Sequence, residues 1–207
     1  MSEILYTTID SECVFEFEEK RSVFIGYVCS VTTEEEAKAY IQKIKSKHYD
    51  ARHNCSAYLL RNGSMRYSDD GEPQGTAGIP MLEVLKKSRL VDVVVVVTRY
   101  FGGILLGAGG LVRAYSAAAA GAITNAVKAE YRKCVLFEIK VDYPSYDKLT
   151  RHLENNGVRV TETDYNENIT IDAVIPFDSY SAFADSITDS FSGKLKVDYV
   201  EEIIEKI

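Results

Sequence analysis

The sequence predicts an α+β protein of two domains. Its 207 residues are enough for two small domains, each with its own hydrophobic core. The run of valines from Val93 to Val97 predicts a central strand that is buried on both faces. Near residue 130 the hydrophobic pattern starts anew, and the order of elements after it is β-α-β-β-α-β, as in ferredoxin-like domains. We therefore expect an N-terminal domain over residues 1–130 and a C-terminal ferredoxin-like domain over residues 131–207.

The first domain is predicted to open with a β-hairpin and a helix. Strand-forming residues run from Cys13 to Phe17 and from Val23 to Cys29, on either side of a charged turn. Thr33 and Glu36 then form a capping-box pattern at the start of a helix. The residues that this helix turns towards a sheet are Ala37, Tyr40, Ile41, Ile44 and His48.

The rest of the first domain is predicted to contain two short strands and two helices around the valine strand. Residues 53–68 form two strands joined by Asn62-Gly63, the dipeptide that best fits a tight hairpin turn. A helix over about 79–88 follows, and the valine strand extends from Asp92 to Thr98. An alanine-rich helix over 109–128 is expected to lie close to the sheet, because its small side chains allow close approach.

The second domain is predicted to alternate strands and helices. Its first strand is the alternating stretch CVLFEIKV, and a helix follows with Pro144 at its start and Gly157 as its stop. Two strands, around Val158 to Thr163 and Ile169 to Ile175, lead into a second helix, and a final strand begins at Lys194. The apolar face of the second helix consists of Tyr180, Phe183, Ala184, Ile187 and Phe191.

Composition and charge exclude several classes of protein. No apolar run approaches the roughly 20 residues that cross a bilayer, and the N-terminus lacks the features of a signal peptide, so we expect a cytoplasmic protein without a membrane partner. The four cysteines lie far apart with no CxxC pair, which argues against disulfides and zinc. The net charge of −7 lies almost entirely after residue 130, so any contact with nucleic acid must be local.

An acidic cluster followed by glycines, DDGEPQGTAGIP, is the first candidate site. Asp69, Asp70 and Glu72 are suited to a hard divalent cation such as Mg²⁺. They are also suited to a turn in which carboxylates cap backbone amides, and both interpretations stay open. The second half of the stretch precedes a helix and offers backbone N–H groups that bind an anion. These groups belong to Gly75, Thr76 and Gly78.

A second glycine-rich stretch, TRYFGGILLGAGGLVRAY, follows the valine strand. It has neither the Gly-Lys-Ser/Thr of a P-loop nor a complete dinucleotide fingerprint. Arg99 and Tyr100 at the strand end are suited to pair with a phosphate and to stack on a base. The alternative is that Arg99 bridges to Asp69 or Asp70 and locks the two loops together. The other candidate residues of this stretch are Gly102, Gly103, Gly109, Gly110 and Arg113.

His53 and Cys55 fall on the same face of one predicted strand. An imidazole and a thiol in this arrangement are suited to nucleophilic catalysis. The alternative is a pair of core residues, since the sequence identifies no third catalytic group.

The two glycine-rich stretches resemble the signature of the IMPACT family, and the length resembles that of its two-domain, YigZ-like bacterial members. The resemblance implies an N-terminal domain with the fold that domain IV of elongation factor G shares with a small-subunit ribosomal protein, followed by a ferredoxin-like domain. It also implies a cytoplasmic factor that touches RNA, ribosomes or a translation partner, because eukaryotic relatives are implicated in restraining a kinase of translation initiation. Many members carry lysine where this chain has Leu105, which removes one cation.

Three hypotheses of function follow. The first is a binding factor for RNA, the ribosome or a translation-associated protein, which holds phosphate in a groove lined by the glycine loops, Arg66, Arg99 and Arg113. The second is an enzyme in which the three acids of the first stretch hold a divalent ion, with Mg²⁺ as the only cofactor considered. The third is a protein-interaction module in which the motifs are structural. We favour the first hypothesis, assign no catalytic residue, and leave the oligomeric state open.

Overall fold

The computed structural model describes residues 4–206. It confirms a mixed α and β fold, and the chain divides into two compact units. The first unit comprises residues 6–129, and the second comprises residues 130–206 together with residues 4 and 5. Within residues 4–206, no helix is both long enough and apolar enough to pass through a membrane.

The first unit is built on a five-stranded antiparallel sheet in the order β2-β3-β6-β4-β5. The elements up to the end of this unit are β1 (Ile4–Ile9), β2 (Cys13–Glu19), β3 (Ser22–Ser30), α1 (Glu34–Lys47), β4 (His53–Leu59), β5 (Met65–Ser68), α2 (Gly78–Ser88), β6 (Val93–Tyr100) and α3 (Ala108–Asn125). The predicted capping box of Thr33 and Glu36 starts α1. The hairpins and all three helices of this half are therefore present as predicted.

Helices cover both faces of the first sheet, which explains the valine run. Val93, Val95 and Val97 belong to the core beneath α2 and α3, whereas Val94 and Val96 belong to the core beneath α1. The alanine-rich helix α3 crosses the sheet closely, as predicted. A Cβ atom on Gly26 of β3 would lie 2.5 Å from the carbonyl oxygen of Ala118 in α3, so only glycine fits there.

The second unit contains the predicted β-α-β-β-α-β order. Its elements are β7 (Lys128–Val141), α4 (Tyr143–Asn155), β8 (Arg159–Tyr165), β9 (Ile169–Pro176), α5 (Phe177–Ser190) and β10 (Val197–Lys206). The sheet runs β1-β7-β9-β8, and β10 also pairs with β7. Leu149 and Leu153 of α4 and Phe183 and Ile187 of α5 pack into one core with the inward residues of β7 and β9. Both helices therefore cover the same face of this sheet.

Two features of the second sheet differ from the sequence expectation. Strand β1 was not predicted, although its residues ILYTTI are mostly β-branched or aromatic and carry that signal. Strand β7 begins at Lys128, so the change of pattern near residue 130 falls inside a strand and not at the end of a helix.

Candidate functional site

Asp69 fills the first glycine-rich loop with its own carboxylate. One carboxylate oxygen accepts the N–H of Gly75 at 2.8 Å, and the other accepts those of Ala77 at 3.0 Å and Gly78 at 2.8 Å. The hydroxyl of Thr76 donates to the carbonyl of Pro73. The amides that the sequence assigned to an external anion therefore cap α2 internally, which corrects the expected role of this loop.

Asp70 ties the same stretch to two other elements. Its carboxylate lies 2.6 Å from Nζ of Lys45 in α1 and accepts the backbone N–H of Asn54 in β4 at 2.8 Å. Its φ of 43° is in the left-handed region, which aspartate tolerates better than most residues. The residue thus fixes the turn in which it lies.

Glu72 forms a buried ion pair with Arg99. Oε1 of Glu72 lies 2.7 Å from Nη1 of Arg99 and accepts the hydroxyl of Tyr115 in α3 at 2.8 Å. The two charged side chains are only 3% and 7% exposed. The predicted bridge between the two loops therefore exists, but its acid is Glu72 and not Asp69 or Asp70.

The three acids consequently do not converge. Each binds a different set of partners, and together they join α1, α2, α3, β4 and β6. Within the described chain, no group of three or more His, Cys, Asp or Glu side chains is placed to hold a metal ion. The geometry of Asp69, Asp70 and Glu72 is that of the structural interpretation, in which carboxylates brace the loops.

The second glycine-rich stretch first passes close to the backbone of Arg21 and then leads into the exposed start of α3. A Cβ atom on Gly102 would lie 2.0 Å from the backbone of Arg21, and Gly103 has a φ of 83°. The N-cap residue of helix α3 is Gly107, which has no side chain that could cap the helix. Gly109 and Gly110 form its first turn, and Nη1 of Arg113 lies 3.7 Å from where a Cβ on Gly109 would be. Arg113 therefore folds back over the start of its own helix.

Two clefts of about 230 Å³ share the loop at residues 101–107. The one we call the ion-pair cleft contains the buried pair, and its lining includes Arg52, His53, Glu72, Arg99, Phe101 and Leu105. The one we call the helix-start cleft lies at the first turn of α3, and its lining includes Phe17, Glu19, Lys20, Leu106, Gly110 and Arg113. Lys20 and Arg52 were not singled out from the sequence, because only the folded chain brings them beside the glycine motifs.

Arg66 and Tyr100 lie apart from these clefts. Arg66 pairs across the sheet with Tyr58, which packs on the α1 side. The hydroxyl of Tyr100 contacts His48 at the end of α1, whereas Arg99 points to the opposite face. Successive strand residues alternate between faces, so Arg99 and Tyr100 cannot act together on one phosphate and its base. The single groove expected from the sequence is thus divided.

His53 and Cys55 both contact the acidic stretch. The Sγ atom of Cys55 lies 3.0 Å from the carbonyl oxygen of Asp69, and burial raises the pKa of this thiol to about 12. A protonated thiol is a poor nucleophile, which argues against catalysis by Cys55. Nδ1 of His53 lies 2.9 Å from the carbonyl oxygen of Asp70. Because a carbonyl only accepts, Nδ1 carries a proton and Nε2 is the atom left to face the cleft.

His48 sits in a chain of hydrogen bonds on the α1 face. Tyr100 donates to Asp50 at 2.9 Å, so its oxygen accepts Nδ1–H of His48 at 2.9 Å. Nε2 of His48 then accepts the hydroxyl proton of Tyr27 at 2.6 Å. This order of donors and acceptors requires a neutral imidazole.

We expect protonation of His48 to destabilise the first unit. Burial, and then the charge of Lys47, lower the pKa of His48 in the folded protein below its value in the unfolded chain. The unfolded chain therefore binds a proton first, and the stabilisation present above the unfolded pKa is lost as the pH falls towards the folded pKa. Urea unfolding across the histidine range should show this loss in the wild type and a smaller one in His48→Gln. Equal losses would contradict the prediction.

Family comparisons match both units. The Impact N-terminal domain model matches residues 20–123, and a domain of unknown function (DUF1949) matches residues 139–194. The chain is 38% identical to the IMPACT family member YvyE of Bacillus subtilis (strain 168), over 98% of this chain and 96% of that protein. It is 31% identical to the IMPACT family member YigZ of Escherichia coli (strain K12), over 88% and 92%.

Two further comparisons differ in how much of the chain they cover. A Protein IMPACT homolog of Dictyostelium discoideum is 41% identical over 95 residues, which are 43% of this chain and 27% of that protein. A crystal structure described as a hypothetical protein is 29% identical, with a TM-score of 0.60 over 95% of this chain and 97% of that one. The similarity to the eukaryotic protein is thus partial, whereas the similarity to the solved structure extends over nearly the whole chain.

Proposed function

Because the chain belongs to the IMPACT family, we propose that it is a cytoplasmic binding factor that associates with RNA during translation. Family membership supports a regulatory or binding role, since named IMPACT proteins of eukaryotes match part of the chain. The link to translation is the one that the resemblance to the IMPACT family implies. RNA is proposed as the ligand because the exposed part of the second glycine-rich stretch is suited to phosphate.

The helix-start cleft carries the proposal. Lys20 and Arg113 are exposed and line this cleft together with Gly110 of the first turn of α3. A helix N-terminus favours negative charge, and the two cations add to this field in a chain whose net charge is −7. Glu19 also lines the cleft, so the charged side chains there carry a net charge of one positive unit. The partial positive charge of the helix N-terminus adds to this net charge. The field is thus local, as contact with a phosphate backbone requires in an acidic protein.

We expect the double variant Lys20→Ala/Arg113→Ala to weaken RNA binding and its salt dependence. Each phosphate contact to single-stranded RNA contributes about −0.7 to the slope of log K against log salt, so loss of two contacts should make the slope less negative by roughly 1.4. Fluorescence anisotropy with a short labelled RNA over a salt series measures the slope. Lys38→Ala/Arg151→Ala removes the same charge from exposed sites elsewhere and should leave the slope unchanged. An unchanged slope in the first variant, or no RNA binding by the wild type, contradicts the proposal.

A translation-associated protein is a second candidate ligand. The 101–107 loop exposes Phe101, Ile104 and Leu105, which are 50%, 41% and 82% exposed. Adjacent exposed apolar side chains are typical of protein contacts. Ribonuclease digestion separates the two candidate ligands: a translation-associated protein that stays bound after digestion would favour the protein partner.

A further inference from the structure

We propose that the ion-pair cleft holds one phosphate group, bound by His53 in its protonated form and by Arg52. The inference rests on the proposed function in taking RNA as the source of the phosphate. It concerns a different cleft from the one that carries that function, so the two can be tested separately.

His53 presents a single free ring nitrogen to the cleft. Its Nδ1 is held by the carbonyl of Asp70 at 2.9 Å, which fixes the orientation of the ring. Its Nε2 lies 3.9 Å from Oε1 of Glu72, too far for a hydrogen bond. The side chain is 12% exposed, so it is held firmly but reached from the cleft. On protonation, Nε2–H becomes a donor for a phosphate oxygen.

The charges around His53 leave the cleft positive when the imidazole is protonated. The carboxylate of Glu72 is neutralised by Arg99 at 2.7 Å and also accepts a hydrogen bond from the hydroxyl of Tyr115. The carboxylate of Asp70 is paired with Lys45 at 2.6 Å. Arg52 is exposed, lines the same cleft, and adds a cation that neither acid neutralises. An anion that entered would therefore meet two cationic side chains and two neutralised pairs.

The size of the cleft fits one chemical group better than a whole nucleotide. Its volume is about 230 Å³. Sites for drug-sized ligands occupy about 300–1,000 Å³. Phe101 forms part of the wall and is 50% exposed. A base attached to the bound phosphate can stack on this ring, as bases do on aromatic side chains in single-strand binding sites.

Binding of phosphate and protonation of His53 must reinforce each other. If the protonated imidazole binds phosphate, bound phosphate raises the affinity of the imidazole for a proton. Protonation of the imidazole raises the affinity of the cleft for phosphate by the same factor. We therefore expect phosphate to bind about tenfold more tightly when the imidazole is protonated than when it is neutral.

Proton NMR can follow this directly, because the chain has only three histidines. The ring signals of His48, His53 and His152 are assigned from His53→Gln and His152→Gln, and each is titrated with pH. The probes are inorganic phosphate, a short 5′-phosphorylated RNA and the same RNA without its terminal phosphate. At a given pH, we expect at least one probe to move the ring signals of His53 towards those of the protonated imidazole and to leave those of His152, in the second unit, unchanged. A response to the 5′-phosphorylated RNA alone identifies a terminal phosphate, and a response to both RNAs identifies the chain backbone.

The outcomes separate this inference from the proposed function. If His53 titrates identically with and without all three probes while RNA still binds, the phosphate site is overturned and the proposed function stands. If inorganic phosphate shifts His53 but neither RNA binds the protein, the site stands and the proposed function fails. In His53→Gln the tighter binding of phosphate at lower pH should be lost, whereas His152→Gln should retain it. Equal pH dependence in the two variants would also overturn the inference.

Discussion

Replacement of Glu72 by leucine is expected to lower the free energy of unfolding by about 3–5 kcal/mol, the usual cost of removing one partner from a buried ion pair. Glu72 and Arg99 are 3% and 7% exposed, so the guanidinium left behind would have little access to water. The hydroxyl of Tyr115 would also lose its acceptor. Urea denaturation monitored by circular dichroism measures the loss.

A matched double variant tests whether the unpaired charge is the cause. Glu72→Leu/Arg99→Met replaces both charges by apolar side chains, which is often close to neutral when a buried pair is removed as a whole. We therefore expect the double variant to be more stable than Glu72→Leu alone. If Glu72→Leu costs less than about 1 kcal/mol, the pair behaves as a surface ion pair and the prediction is wrong.

This ion pair explains why the acidic stretch and the second glycine-rich stretch occur in one sequence. Glu72 follows the first turn, Arg99 lies near the end of β6 and Tyr115 lies in α3, so one carboxylate holds together three elements. Gly102 lets the chain leave β6 against the backbone of Arg21, where any side chain would collide. Glu72 therefore braces the strand from which the 101–107 loop leaves, and that loop contributes residues to both clefts.

The fold was largely predictable because its signals are local. The capping box of Thr33 and Glu36 and the valine run of β6 determine their elements without help from distant residues. Strand β1 was missed because the hairpin that follows it gave a clearer pattern, and its place in the second sheet depends on pairing with β7, far along the chain. A pairing of this kind leaves no mark in the local sequence.

The site was predictable in composition but not in its connections. The sequence identified Glu72 and Arg99 as candidates, yet which acid meets Arg99 depends on the path of a turn and on the position of α3. The alternation of side chains along a strand was enough to predict that Arg99 and Tyr100 lie on opposite faces. The placement of Phe24, Arg99 and His53 side by side across three strands depends on strand order and register, which the local sequence does not determine. The cations Lys20 and Arg52 come from elements without any glycine motif, so only the folded chain places them at the clefts.

Replacement of Asp69 by alanine is expected to lower the free energy of unfolding by about 2–4 kcal/mol, because three backbone N–H groups lose a charged acceptor at the start of a helix. The groups are those of Gly75, Ala77 and Gly78. Ala77 and Gly78 are buried, so water replaces the carboxylate poorly. Asp69→Asn keeps a neutral acceptor oxygen and should lose about half as much. Chemical denaturation of the two variants beside the wild type measures both losses.

The same variant can show what the loop would bind if Asp69 did not fill it. Freed amides at a helix N-terminus favour an anion, so inorganic phosphate should restore part of the stability of Asp69→Ala. Phosphate also stabilises proteins in general by exclusion from their surface, and the wild type controls for this effect. A gain in Asp69→Ala that exceeds the gain in the wild type and saturates with phosphate concentration would mean that the carboxylate takes the place of an anion. Equal, unsaturated gains would mean that the loop has no affinity for anions, and that Asp69 is only the structural cap of α2.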